Sequence, residues 1–210
     1  MEKMLQWNGE PILYYSLELP EIPKEGRSRK VSAYYRRMGN EWTLRWEGEL
    51  FQRAVSALVA ARERSKPFEP WNAELSSTVT YYNESLWSLH VSVTETTHTE
   101  RPYRYLQGDT WNLRTGAPLT LASFFEDCPG WRREMFEEIK RQTQERIRSK
   151  ESLLDPDAGE RLEREFDPSR FYLTEEGLMV FYPMETLGSS GEGFPSFLLK
   201  KACAEGHNGI

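Results

Sequence analysis

Cysteine and histidine are scarce in this chain, and much metal and nucleophile chemistry goes with them. The two cysteines, Cys128 and Cys203, are too few for a disulfide scaffold or a four-ligand zinc site. A single bridge between them requires Cα atoms within about 7 Å. Two inert or partly exposed thiols are the simpler expectation, and the sequence leaves the pairing open. The three histidines are His90, His98 and His207. On one strand, His90 and His98 would share a solvent face but stand roughly 26 Å apart, too far to hold one metal. No ligand spacing is met, so neither a metal nor a cofactor is expected.

Long apolar runs are missing as well. No window approaches the roughly 20 apolar residues of a membrane-spanning helix, so no membrane insertion is expected. The opening residues lack the basic segment, apolar segment and small-residue cleavage site of a leader. With Met1 as the native start, the expectation is a cytoplasmic protein; as part of a longer precursor it would be extracytoplasmic. Positive charge is also in deficit: 33 acidic residues against 27 basic ones leave a net charge of -6. That field opposes phosphate, and no nucleic-acid partner is expected.

Aromatic residues, by contrast, are plentiful. Seven Trp, 10 Tyr and 10 Phe exclude a disordered chain despite its charge. A length of 210 residues fits one large domain or two small ones, each able to bury a core.

Periodicity then sorts the chain into elements. Ile12–Leu19 reads as a strand closed by Pro20 and Pro23. From Ser28, which can serve as an N-cap, to Arg64 the apolar residues Val31, Tyr35, Met38, Trp42, Trp46, Leu50, Val55 and Leu58 recur at helical spacing. One long helix covering a sheet is expected, with Gly39–Asn40 the place where it would kink or split, at about 1 kcal/mol relative to Ala. Leu75–Tyr82 and Leu86–Thr96 alternate as strands. A three-residue loop, Asn83–Ser85, keeps Val79, Tyr81, Trp87 and Leu89 on one dry face and Ser88 and His90 on the other, solvated one. Tyr103–Leu113 continues the sheet, with a bulge or turn expected at Gly108–Asp109. Arg114–Gly116 is a turn and Leu119–Phe125 a short apolar run. Asp127 would cap a helix that starts near Pro129 and buries Trp131, Met135, Ile139 and Ile147. Its charged face is laced with i,i+4 pairs such as Glu137–Arg141. Ser152–Gly159 is a polar linker. Phe171–Leu173 and Leu178–Tyr182 form a hairpin around Glu175–Gly177, Phe194–Leu199 is a last strand, and Lys201–Ile210 is a tail.

Catalytic patterns are absent. There is no Gly-x-Ser-x-Gly elbow and no cysteine with evident partners. The Gly188–Gly193 loop leads into a strand rather than a helix, and no Lys-Ser/Thr follows it, so it reads as a mobile connection and not a phosphate cradle. Acidic residues such as Asp109, Glu126, Asp127, Glu175 and Glu176 are accounted for by surface charge, turns and caps. Glu185 stands apart because it directly follows an apolar strand, where a groove-facing carboxylate is feasible.

Two stretches carry a family resemblance. Thr110-Trp-Asn-Leu-Arg-Thr-Gly116 with Leu119-Thr-Leu-Ala-Ser-Phe-Phe125 resembles a strand, a Thr-Gly turn and an L-T-L-x-D-L-F run. Phe171-Tyr-Leu-Thr-Glu-Glu-Gly-Leu-Met-Val-Phe-Tyr-Pro183 resembles an F-Y-L-T-x-x-G-L-x-x-Y-F hairpin. Together they resemble the domain of unknown function in the C-terminal half of RsiV-type anti-sigma factor ectodomains. The same domain occurs in PdaC-type peptidoglycan deacetylases and other proteins of Gram-positive bacteria. The resemblance implies an α+β fold and a non-catalytic, ligand-recognising module, with lysozyme the ligand of RsiV-type ectodomains. Asn112 stands where that family often has Asp, and Pro183-Met184-Glu185 where it has Pro-Tyr-Glu. No sigma-factor-binding segment, anchor or catalytic deacetylase domain is recognised.

The expectation is therefore an α+β protein of antiparallel sheets, each covered by an amphipathic helix, in two small modules packed together. Residues 1–106 would form a PdaC N-terminal-like module, 107–200 an RsiV C-terminal-like module and 201–210 a flexible tail. Its expected function is recognition of a lysozyme-like protein or a peptidoglycan ligand through Pro183, Met184, Glu185, Ser189 and Ser190, without catalysis. Its rivals are a carboxylate-dependent hydrolase using Glu185, with a second carboxylate about 5–10 Å away, and a cytoplasmic structural or assembly protein.

Overall fold

The structure, a computed structural model, describes residues 1–23, 28–98, 100–126 and 128–200. The expected caps from the Ser28 side chain and Asp127, the Cys203 half of any bridge, His207 and the 201–210 tail lie outside the described residues. Strands β1 (Glu2–Trp7), β2 (Glu10–Leu17), β3 (Trp71–Tyr82), β4 (Leu86–Thr96), β5 (Tyr103–Asn112) and β6 (Ala117–Pro118) form a six-stranded sheet in that order. Strands β7 (Phe171–Thr174), β8 (Gly177–Phe181) and β9 (Ser196–Lys200) form a second, three-stranded sheet. The helices are α1 (Ser28–Arg45), α2 (Phe51–Glu63), α3 (Trp131–Ser149) and the short α4 (Ala158–Arg161). The α+β class is the one expected. Two compact units result: Met1–Thr78 with Val91–Tyr105, and Val79–His90 with the chain from Leu106 onward.

In the first unit, β1 is a strand that the apolar pattern does not announce. Asn8 and Gly9 turn the chain with φ of 53° and 82°, the left-handed pair that a tight hairpin turn needs and that Asn-Gly supplies at little cost. β2 then pairs with β3 in parallel, Leu13 against Trp71 and Leu17 against Leu75, which departs from the all-antiparallel expectation. The cause is the long helical crossover between them, which returns the chain to its starting end before β3 begins.

From Ser28 to Glu63 that crossover is continuously helical, and Gly39 does not break it. A Cβ there would stand 3.0 Å from Leu19 Cδ1 and 3.4 Å from Leu17 Cδ2, so Gly39 lets the helix approach the end of β2. The irregularity comes about two turns later. Trp46–Leu50 winds as a π-helical turn joining α1 to α2, the wider winding that often marks a local structural demand. Here the demand is Trp46. Its side chain is fully buried, lies 5.4 Å from the Tyr15 ring and donates its indole N–H to Glu95 Oε1 at 3.0 Å. Glu95, only 2 % exposed, also accepts from Arg45 Nε at 2.9 Å and Nη2 at 3.1 Å. Its buried charge is thus paired and hydrogen-bonded by groups from one helix.

The second unit holds the β3–β4 turn, and its loop is the three-residue one. Asn83 Oδ1 accepts from the backbone N–H groups of Ser85 and Leu86, and Asn83 N–H donates to Leu86 O at 2.9 Å. The same register brings the Ser76 and Ser92 hydroxyls together at 2.8 Å in the first unit. Trp87 and Leu89 are buried as the alternation requires, whereas Val79 is 47 % exposed.

The opposite face of β4 is not the solvated one expected. Ser88 is fully buried: its Oγ meets Thr110 Oγ1 at 2.7 Å and accepts from Leu173 N–H at 2.8 Å. Thr80 Oγ1 donates to Leu173 O at 2.6 Å. Strand β7 therefore sits on polar residues of β3 and β4. Gly108 allows this, since a Cβ would fall 2.0 Å from Phe171 O. Its role is close backbone approach, and β5 runs through it without the expected interruption.

Candidate functional site

Helix α3 and the small sheet border a concavity in the second unit. One face of the sheet presents Phe171, Leu173, Leu178, Val180, Phe197 and Leu199, all buried in a core with Met135 and Ile139 of α3. The three- and four-residue steps that seat Met135 and Ile139 on the sheet also carry Glu138, Gln142 and Arg146 along one side of the helix. Those side chains border a groove of about 760 Å³. Its walls include Phe124, Met135, Leu173, Leu178, Leu198 and Leu199, and Lys200 stands at its edge. At one end Phe125 and Trp131 stack with ring centroids 4.7 Å apart and planes 6° from parallel.

The polar border is fixed before any ligand arrives. Gln142 Nε2 donates to Leu198 O at 2.7 Å, and Arg146 Nη2 donates to Ser196 O at 2.8 Å. These bonds occupy carbonyls on the outer edge of β9 and blunt it against strand addition. Arg141 binds Glu138 through Nε at 2.8 Å and Nη2 at 2.7 Å. Those bonds, with that from Gln142, pull the Glu138 carboxyl down to about 2 although burial opposes it. Glu138 is accordingly an ionised, occupied acceptor at neutral pH and no proton donor. Arg141 reaches Glu145 as well, at 3.0 Å. The groove offers apolar area with charges of both signs along its border, which suits a ligand bound by shape and apolar contact more than by net charge.

Residues singled out from the sequence lie elsewhere. Pro183, Met184, Glu185, Ser189 and Ser190 do not line this groove. Tyr182 ends β8 buried, its hydroxyl donating to Leu162 O at 3.1 Å, and burial pushes that phenol well above its ordinary range. Pro183 and Met184 are partly buried and Glu185 is exposed. Glu185 holds a left-handed φ of 63° in a turn closed by Thr186 Oγ1 donating to Pro183 O at 2.7 Å. Ser189 and Ser190 are exposed. The loop that carries them is tied down: Gly188 abuts the Leu153 carbonyl, where a Cβ would stand at 2.4 Å. Ser189 N–H donates to Leu153 O at 3.1 Å, and Glu192 accepts from Leu153 N–H. Asp109, on β5, accepts from Gln107 Nε2.

The histidines differ from expectation too. His98 lies beyond the end of β4, with φ 58° and a ring nitrogen 3.1 Å from Pro70 O. His90 is partly buried, its ring 5.3 Å from that of Tyr172. Among the described residues, no three of His, Cys, Asp or Glu are grouped to hold a metal ion, and no helix is long and apolar enough to cross a membrane.

No protein-family model matches this sequence, and no curated protein does. Solved structures do match. A DUF3298-family protein of Bacteroides fragilis aligns at a TM-score of 0.64 and 12 % identity, over 95 % of this chain and 87 % of that one. A DUF3298-family protein of Pseudomonas aeruginosa aligns at 0.59 and 15 % identity, again over 95 % and 87 %. The fold is that of DUF3298 proteins. At such identity the likeness is one of backbone course, and the DUF3298-like fold leaves the role of the α3 groove to its own chemistry.

The sequence reading missed the groove because Trp131, Met135, Leu178 and Leu199 carry the periodicity of core residues. Only the tertiary gap between α3 and β9 exposes part of that surface. One signal was legible: Gln142 and Arg146 lie on the same side of α3 as Met135 and Ile139, where a purely buried face would be apolar.

Proposed function

We propose that this chain is a non-catalytic recognition module whose ligand is a segment of another protein, held in the groove between α3 and the three-stranded sheet. The groove itself carries the reading: about 760 Å³, apolar walls, a stacked aromatic pair at one end and a border on which Arg141 bridges Glu138 and Glu145. Burying apolar area there yields roughly 25 cal/mol per Å², and the pre-bonded Gln142 and Arg146 need little further ordering to receive a ligand. The resemblance to RsiV-type ectodomains and PdaC-type proteins supports the same role and suggests lysozyme as the first probe. Soluble peptidoglycan fragments are the second, since a glycan would also use the Phe125–Trp131 rings. Calorimetric titration of the full chain with each probe tests the reading. Saturable binding of lysozyme is expected; binding of peptidoglycan fragments alone would reassign the ligand to glycan. Heat from neither probe would overturn the reading, and turnover of a peptidoglycan fragment would replace recognition with catalysis.

A further inference from the structure

The seam between β7 and β4 contains a titratable ring that the groove does not use. His90 follows Ser88 by two residues on β4, so both point to the face that β7 covers. Ser88 and Thr80 hold Leu173 of β7 by hydrogen bonds on its N–H and C=O. Alongside them the His90 ring packs 5.3 Å from Tyr172, and Tyr172 in turn lies 6.0 Å from Phe181 of β8. On β5, the Ser88–Thr110 contact places Gly108 opposite His90. The His90 Nδ1 atom is buried and has no hydrogen-bond partner among the described residues.

We propose that His90 is an acid-sensitive latch: its protonation loosens β7, and the small sheet with it, from β4. Neutral imidazole can carry its proton on Nε2 and leave Nδ1 a bare acceptor, at modest cost. A second proton must go on Nδ1, creating a buried N–H and a charge with no acceptor beside it. Among the described residues, the groups named on this face supply no counter-charge. Tyr172 is a phenol whose pKa burial raises further, Phe181 is apolar, Gly108 has no side chain, and the Ser88 hydroxyl is shared between Thr110 and the Leu173 N–H. Asp109 alternates to the other side of β5, where Gln107 holds it. Burial accordingly lowers the imidazole pKa in the closed state.

The sign follows from linkage. A histidine with a depressed folded pKa stabilises closure above its ordinary value near 6.5, and that stability is lost as pH falls toward the folded value. The test is the hydrogen-exchange protection factor of the Leu173 amide, corrected for intrinsic pH dependence, between pH 7.5 and 5. Wild type should lose protection by up to about tenfold per pH unit below 6.5, the limit for one proton. His90→Gln and His90→Phe, which cannot titrate there, should lose this component, while His98→Gln should keep it. An unchanged pH profile in either folded His90 variant would overturn the latch.

Discussion

The two principal helical layers of this protein cover their sheets on opposite terms. In the first unit the α1–α2 crossover is sealed against the sheet: Trp46, Leu50, Ala54 and Leu58 are all buried, and the helix winds through a π-turn where Trp46 and Arg45 meet Glu95. In the second unit α3 buries Met135, Ile139 and Thr143 but leaves an open trough beside them, lined on the helix side by side chains that bond to strand carbonyls. The lesson is that amphipathic spacing announces a covering helix without saying whether the cover is complete. A sealed layer serves stability, and an incomplete one leaves apolar area uncovered.

Substitutions can break that contrast, beginning with the sealed layer. Trp46→Ala removes a fully buried indole and strands Glu95, and should cost about 4 kcal/mol in denaturant unfolding. Gly108→Ala comes next, at about 3 kcal/mol, because the added methyl meets a backbone carbonyl rather than a side chain that can swing away. Ser88→Ala should cost about 1.5 kcal/mol by leaving the Leu173 N–H buried without its acceptor. Gly39→Ala is the smallest. The helix gains about 1 kcal/mol from the replacement, while Leu19 must yield a few tenths of an ångström, so a net change within about 0.5 kcal/mol is expected. A loss above 2 kcal/mol at Gly39 would mean that its helix is pinned at that point as rigidly as β5 is at Gly108.

Those glycines also show how far local sequence reading reaches. The Asn83–Ser85 loop was legible because only that length keeps Trp87 and Leu89 on one face. The Asn8–Gly9 turn carried an equally local signal, but Glu2–Trp7 alternates too weakly to attract notice as a strand. Gly39 and Gly108 were recognised as special for the wrong reason. Each looked like a break in its own element, whereas each marks contact with a distant one, Leu19 or Phe171. Ser88 and His90 were misplaced for the same cause, since β7 lies far along the chain and nothing nearby signals that it covers them. Glu185 drew notice as the residue after an apolar strand, and that position proved to be an exposed turn. The groove was the least legible feature, because it exists only as a gap between two elements that each read correctly.

The most direct measurement compares two variants by calorimetry against whichever of lysozyme or peptidoglycan fragments binds the wild-type chain. Trp131→Glu places a charge at the aromatic end of the apolar trough, and Glu185→Gln alters the corner favoured by the sequence. Trp131→Glu should bind at least about tenfold more weakly, or 1.4 kcal/mol, and Glu185→Gln should bind as wild type. The reverse pattern, with Trp131→Glu binding as wild type and Glu185→Gln losing affinity, would contradict a ligand site in the α3 groove.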